Sequence, residues 1–131
     1  MNTIGTQKTC SSSVFPFKNH ILYGISALTT PGYSRVITSP IRMYSETPIN
    51  CFYYVTRKKD IPDKFITDGK VIPEIAILQV LRDNDSIQAI FETIEYFENI
   101  GDYKLIERAD KLNKELKIVE ESEWEWFKTL L

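Results

Sequence analysis

Hydrophobic residues in the second half of the chain recur at the spacing of an α-helix. The clearest run follows Asp85 and forms one apolar stripe: Ile87, Ile90, Phe91, Ile94 and Phe97. Asp85 and Gln88 have the pattern of a capping box, in which each satisfies a free backbone group at the start of the helix. Gly101 is placed to end the helix, because glycine readily adopts the left-handed conformation of a helix stop. The pattern therefore predicts a helix over residues 85–100.

Shorter amphipathic patterns flank this helix on both sides. Pro73 opens a preceding helix that Asp83 and Asn84 end, and a following helix begins near Asp102 with an apolar stripe of its own: Leu105, Ile106, Ala109, Leu112 and Leu116. A further helix is predicted to start at residues 60–63, with Gly69 as its stop, and the aromatic run 51–55 is interpreted as helix rather than strand. Because the links are short, neighbouring helices must pack antiparallel. The predicted fold is all-α: short antiparallel helical hairpins in a small right-handed solenoid-like or bundle domain.

Charge divides the chain near residue 45. No Asp or Glu occurs before that point, all 18 acidic residues follow it, and the opening segment is rich in Ser and Thr. Its apolar residues at positions 17, 21, 22, 25 and 28 fall on one face of a predicted three-turn helix. A cationic, acid-free, hydroxyl-rich segment with an amphipathic helix is typical of a mitochondrial transit peptide. The sequence thus predicts a flexible leader over residues 1–44, and a disordered N-terminal tail is the alternative.

A processing site is predicted where the acid-free segment ends. Arg42 stands two residues before Tyr44, and Ser45 follows, an arrangement similar to a mitochondrial cleavage signal. Cleavage between Tyr44 and Ser45 would divide the chain into a removed leader, residues 1–44, and a helical domain with an acidic aromatic tail, residues 45–131. No apolar run approaches the roughly 20 residues that a membrane-spanning helix needs. We therefore expect no transmembrane segment.

Removal of the leader narrows the chemistry that remains. It takes the only histidine, His20, one of the two cysteines, and four of the 16 basic residues, which leaves 12 bases against 18 acids. An acidic surface disfavours nucleic acid as a partner. We expect no metal or cofactor site, since neither a His/Cys set nor a glycine-rich phosphate loop remains. A catalytic carboxylate pair is also disfavoured, because the paired acids stand where helix starts and solvated tails usually carry them.

The C-terminal tail combines acidic residues with large aromatic ones. Trp124, Trp126 and Phe127 each bury about 150–250 Å² when covered, so they are not all expected to remain in water. Two interpretations stay open for them. The aromatic residues either complete the core of the domain, or one or two of them anchor a partner, as aromatic residues often do at interfaces.

Several helix ends resemble those of cytochrome c oxidase subunit Va, called subunit VI in fungi. The similar segments are Asn84–Glu92, Val71-Ile72-Pro73, Leu81-Arg82 and Lys114–Ile118, with Lys117 where the family prefers Gly. The likeness covers residues 71–123. It implies a non-catalytic accessory subunit that holds no haem or copper. Such a subunit is peripheral on the matrix side of the mitochondrial inner membrane, contacts other subunits of the oxidase, and supports assembly and stability of respiratory complex IV.

The sequence leaves three alternatives to this function. One is another mitochondrial helical adaptor: an assembly factor, or an accessory subunit of a different respiratory complex. The second is a small matrix enzyme using a buried carboxylate, and the third is an RNA-binding helical repeat, which the acidity disfavours. Co-migration with oxidase activity on native gels separates the first alternative from the oxidase subunit.

Overall fold

The structure, a computed structural model, describes residues 20–38, 40–46 and 52–131. These residues form five α-helices and a small sheet, so the chain is mostly helical but not all-α as predicted. The helices are α1 (Ile25–Thr29), α2 (Pro73–Arg82), α3 (Ile87–Asn99), α4 (Leu105–Leu116) and α5 (Glu121–Lys128). The strands are β1 (Ile41–Tyr44), β2 (Tyr54–Arg57), β3 (Ile66–Thr67) and β4 (Lys70–Val71), with a 3-10 turn at Asp63–Phe65.

Helix α2 is the centre of the fold. Every side chain from Ile75 to Leu81 is buried, because α1, α3 and α4 all pack against this helix. A helix that is apolar on nearly every side is stable only when it is covered on every side. The helices thus surround one central member instead of stacking in a row. The predicted solenoid is wrong, and the helical part is closer to the bundle that was its alternative.

Helices α2, α3 and α4 confirm the helices predicted from the apolar stripes. Gly101 adopts a left-handed conformation at φ 91°, and the Asp102 amide donates a 2.8 Å hydrogen bond to the Phe97 carbonyl, as expected for a glycine helix stop. The predicted capping box is wrong. No side chain caps α3, and the Asp85 carboxylate instead accepts a hydrogen bond from Arg42. The carboxylate therefore pairs with an arginine that the tertiary fold brings close, and not with the backbone at the start of α3.

The strands form one small mixed sheet. Strands β1 and β2 run parallel, with Ile41 opposite Tyr54 and Tyr44 opposite Arg57, while β3 and β4 form an antiparallel hairpin. Leu22 joins the two pairs, since it bridges to Met43 on one side and to Lys70 on the other. The hairpin turns at Asp68 and Gly69, both of which have positive φ, as a two-residue turn of this type requires.

Two predicted helices are replaced by this sheet. The aromatic run 51–55 leads into strand β2 instead of a helix, although Cys51 itself lies outside the described residues. The helix predicted from residue 60 is only the 3-10 turn followed by the β3–β4 hairpin, in which Phe65 is buried as expected. Runs of four or five apolar residues suit a buried strand as well as a helix, so periodicity alone could not decide between them.

The segment predicted to be a flexible leader is folded from residue 20 onward, apart from residue 39, which is not described. Its buried side chains belong to the main hydrophobic core or the sheet: Tyr23, Ile25, Ala27, Leu28, Met43 and Tyr44. Of the described residues in the predicted three-turn helix, Ile25–Thr29 are helical, and Leu22 is in the sheet. Phe17 lies outside the described residues. Gly24, with φ 57° and ψ −137°, makes the sharp turn between sheet and helix that a side chain would hinder.

Polar contacts over long sequence distances hold this segment in place. The Gly24 amide donates a 2.8 Å hydrogen bond to the buried side-chain oxygen of Gln79 in α2. The Ser34 hydroxyl and the Arg35 amide both donate to the Glu92 carboxylate in α3, at 2.9 and 2.8 Å. Residues 20–46 are therefore integrated into the domain. Cleavage after Tyr44 stays a prediction, but residue 45 is not a boundary between folded units.

We expect the fragment 45–131 to lose cooperative folding. It lacks Ile25, Leu28 and Met43, and each such buried side chain contributes about 1.5–3 kcal/mol. That loss is large against the roughly 5–15 kcal/mol that stabilise an ordinary domain. Near-UV circular dichroism during thermal unfolding measures the effect. The control is the full chain, which keeps these side chains and should unfold in one sharp transition. A sharp transition in fragment 45–131 would contradict the prediction.

Replacing the central amide is expected to loosen the N-terminal segment. Gln79→Met keeps the volume of the side chain but leaves the buried Gly24 amide without its acceptor, so it should cost about 2–3 kcal/mol in the free energy of unfolding. Urea unfolding measures this loss. Gln88→Met on exposed α3 surface is the matched control, with an expected change within about 0.5 kcal/mol. Equal effects of the two substitutions would show that the amide has no special role.

Candidate functional site

The predicted processing residues lie on and beside strand β1. The Tyr44 amide donates a 2.8 Å hydrogen bond to the Ile21 carbonyl, and the Ser45 amide donates at 2.9 Å to Arg57. The peptide bond between Tyr44 and Ser45 is thus flanked by sheet hydrogen bonds on both sides. A protease needs an accessible extended segment, so cleavage at this bond would have to precede folding.

The Tyr44 hydroxyl is the centre of a buried polar contact. It donates a 2.9 Å hydrogen bond to Asp60 and accepts one of 2.7 Å from the Gln79 side-chain nitrogen. Burial, followed by the charge of Asp60, raises the pKa of Tyr44 well above its ordinary value of 10. The hydroxyl therefore stays protonated at neutral pH, and its role is to join β1 to α2 and to the loop before the 3-10 turn.

Three arginines and three aspartates surround this contact. We call them the arginine–aspartate cluster: Arg42, Arg57, Arg82, Asp60, Asp83 and Asp85. Two nitrogens of the Arg82 guanidinium donate hydrogen bonds to the Asp83 carboxylate, at 2.8 and 3.2 Å. The Arg42 guanidinium donates to the Asp85 carboxylate at 2.6 Å. Arg57 lies 3.1 Å from Asp60 and 3.6 Å from Asp83. The cluster has no net charge, and it joins both parallel strands to the C-terminal end of α2.

Helix α5 divides the three aromatic residues of the tail between core and surface. Trp124 and Phe127 are 1% and 0% exposed, and the Phe127 ring stacks on Phe91 of α3 with centroids 5.6 Å apart. Trp126 is 51% exposed. A helix places residues two apart on nearly opposite sides, which explains this division. Of the three interface candidates, Trp126 is the one whose side chain remains available to a partner.

Asp110 fixes α5 to α4. Its carboxylate accepts hydrogen bonds from the Trp124 indole nitrogen at 2.8 Å and from the Lys128 ammonium at 2.9 Å. The bond from Lys128 and then that from Trp124 lower the pKa of Asp110 to about 2. The sequence alone does not single out this residue, because Asp110 resembles any other acidic position on a solvated helix face. Its only signal was a spacing that lets it pair with Lys114 one turn later.

The exposed residues that follow Trp126 continue its apolar character. Leu130 and Leu131 are 46% and 54% exposed, and backbone hydrogen bonds from Thr129 and Leu130 extend the helical turn beyond α5. We call Trp126, Leu130 and Leu131 the C-terminal apolar surface. Trp126 and Leu130 are four residues apart, so they lie on the same side of the turn. The carboxylates of Glu121, Glu123 and Glu125 belong to the same short helix.

Within residues 20–38, 40–46 and 52–131, no group of three or more His, Cys, Asp or Glu side chains is arranged to hold a metal ion. None of the helices in the described part of the chain has both the length and the apolar character needed to cross a bilayer.

Comparison with known proteins identifies no relative. No protein-family model, no curated protein and no solved structure matches this chain.

The stability of the chain is expected to fall at acid pH partly through Asp110. Its folded pKa of about 2 lies below the unfolded value of 3.8, so the carboxylate stabilises the fold above pH 4, and this contribution is lost as the pH falls from about 4 to about 2. Melting temperatures measured between pH 6 and pH 2.5 should fall less steeply for Asp110→Asn than for the wild type. Glu107→Gln, an exposed position on the same helix, should follow the wild-type slope. Parallel curves for all three proteins would contradict the assignment.

Proposed function

We propose that the protein is a non-catalytic subunit that binds another protein through its C-terminal apolar surface. The more specific form of the proposal is a peripheral accessory subunit of mitochondrial cytochrome c oxidase, on the matrix side of the inner membrane. In that role it contributes to the assembly and stability of respiratory complex IV through contacts with other oxidase subunits.

The half-exposed Trp126 is the observation that carries the protein-binding role. Tryptophan is enriched among the few residues that supply most of the binding energy of protein interfaces. Here it is presented by a helix whose opposite side is fixed by Trp124, Phe127 and Asp110. Because the helix is already held in place, a partner loses little free energy in ordering it, and rigid presentation of this kind favours affinity.

The oxidase assignment is supported by the helix ends between residues 71 and 123. Lys117, which occupies the position where the family prefers Gly, has φ 53° and ψ 48° and forms the left-handed stop of α4. The position therefore has the stereochemistry for which glycine is favoured. Pro73 likewise stands at the first turn of α2, and Leu81-Arg82 end it. The acid-free start of the chain supports a mitochondrial location.

The second candidate is a different mitochondrial adaptor, such as an assembly factor or a subunit of another respiratory complex. The sheet favours it. Strands β1 to β4 and the bridging residue Leu22 are foreign to an all-helical subunit built of hairpins. This alternative shares the C-terminal apolar surface and differs only in the partner that covers it.

Native electrophoresis of mitochondrial extracts tests both forms of the proposal. The protein should migrate with oxidase activity at stoichiometric abundance, and Trp126→Ala should reduce that fraction at least tenfold, since removal of a central interface tryptophan commonly costs over 2 kcal/mol. Thermal unfolding of the purified variant should remain within a few degrees of the wild type, because Trp126 is not part of the core.

Tyr103→Ala is the matched control, since this aromatic side chain is 75% exposed in the link between α3 and α4. It should leave migration unchanged. Stoichiometric migration with another complex would favour the second candidate. Protein that migrates alone, or a Trp126→Ala variant that assembles like the wild type, would exclude binding through this surface.

A further inference from the structure

A cleft opens beside the arginine–aspartate cluster, on the side of the molecule where β1 and β2 meet the end of α2. Its volume is about 370 Å³, within the range of clefts that take small molecules. It is lined by Tyr23, Arg42, Val55, Thr56, Arg57, Asp83 and Asp85. Two cationic and two anionic side chains therefore share one small opening.

Tyr23 lines this cleft, and its hydroxyl keeps contact with solvent. The residue is only 3% exposed, and its ring stacks on Tyr44 with centroids 4.9 Å apart. Its hydroxyl nevertheless makes no hydrogen bond to any residue in the described part of the chain. Burial and then the neighbouring Asp83 raise the pKa of Tyr23, so its hydroxyl is neutral and can donate or accept. Because this hydroxyl has no protein partner and its residue lines the cleft, it is a candidate contact for a ligand.

The charged residues of the lining differ in how many of their hydrogen-bonding atoms already have a partner. Asp83 is held by both nitrogens of Arg82, whereas Arg57 makes only the looser contacts to Asp60 and Asp83 and is 38% exposed. Its guanidinium also lies over the Tyr23 ring, 5.8 Å from the centroid. A guanidinium has five donors in a fixed fork that suits a carboxylate. Arg57 can therefore accept an anionic group in addition to its present partners.

Asp85 has the complementary capacity. One carboxylate oxygen accepts from Arg42 at 2.6 Å, and the other accepts no hydrogen bond from the described residues. A simple anion in the cleft would be attracted by the arginines but would also face Asp83 and Asp85. A simple cation would face the opposite conflict. A small molecule that carries one positive and one negative charge can pair with both the arginines and the aspartates of the cleft.

We propose that this cleft binds a free α-amino acid. The Arg57 guanidinium and the Tyr23 hydroxyl receive its carboxylate, and the free oxygen of Asp85 receives its ammonium. The cleft and the C-terminal apolar surface share no residue. Amino-acid binding can therefore be tested independently of the protein-binding role.

Titration of the isotopically labelled full chain with each standard L-amino acid tests the proposal. Saturable shifts of backbone amide signals are expected at Arg57, Asp83 and Asp85 for at least one amino acid. Acetate and methylammonium carry one charge each and should bind at least tenfold more weakly than that amino acid. Absence of a saturable shift with any amino acid would overturn the proposal, and so would acetate binding as tightly as the best amino acid.

Two substitutions assign the roles within the cleft. Tyr23→Phe keeps the stacked ring and removes only the hydroxyl, so affinity should fall at least fivefold while the melting temperature stays close to that of the wild type. Arg57→Gln removes the cation and should weaken binding at least tenfold. Tyr103→Phe, at an exposed position remote in sequence from the cleft, is the control and should bind normally.

If Tyr23→Phe does not fold, Arg57→Gln decides the question alone, because Arg57 is partly exposed and lies outside the core. Wild-type affinity in a folded Arg57→Gln protein would overturn the proposal.

Discussion

The side-chain amide of Gln79 joins parts of the chain that local sequence would leave separate. It lies fully buried in the central helix, accepts from the Gly24 amide and donates to the Tyr44 hydroxyl. A buried polar group costs free energy unless it is paired, so this amide requires both partners to be in place. That requirement fixes the turn at Gly24 and the end of strand β1 against α2. The sheet, the arginine–aspartate cluster and the cleft beside it all depend on the position of those two segments.

Helices α2, α3 and α4 could be predicted because their signals are local, whereas α5 was predicted only as an acidic aromatic tail. The stripe of α3, the glycine stop at Gly101 and the proline at the start of α2 each act within a few residues. The first half could not be predicted in this way. Leu22 is held by Met43 and Lys70, which are 21 and 48 residues away, and nothing in the apolar run around it favours the sheet over a helix. Charge gave no sign that residues 20–38 and 40–46 fold into the domain, because an acid-free segment is typical of a leader but does not exclude a place in the core.

The candidate sites show the same division between local and long-range information. The aromatic tail was identified from composition, but its division into buried Trp124 and Phe127 and exposed Trp126 required the helix that carries them. Tyr23 gave no signal in the sequence, and Asp110 gave only its spacing from Lys114. Asp110 matters because Trp124 and Lys128 reach it from another helix, and Tyr23 matters because its hydroxyl ends at a cleft built by four separate segments.

Because these contacts join residues far apart in the sequence, they also set the order in which parts of the chain can fold. Gly24 and Ser34 find their partners 55 and 58 residues further along the chain, in α2 and α3. Closing such loops is slow compared with forming a helix, and it is impossible before the later residues exist. While the chain is being synthesised, residues 20–46 therefore remain open to any factor that recognises an extended cationic segment. The residues that end in the core stay exposed during that period, and folding against α2 and α3 ends it.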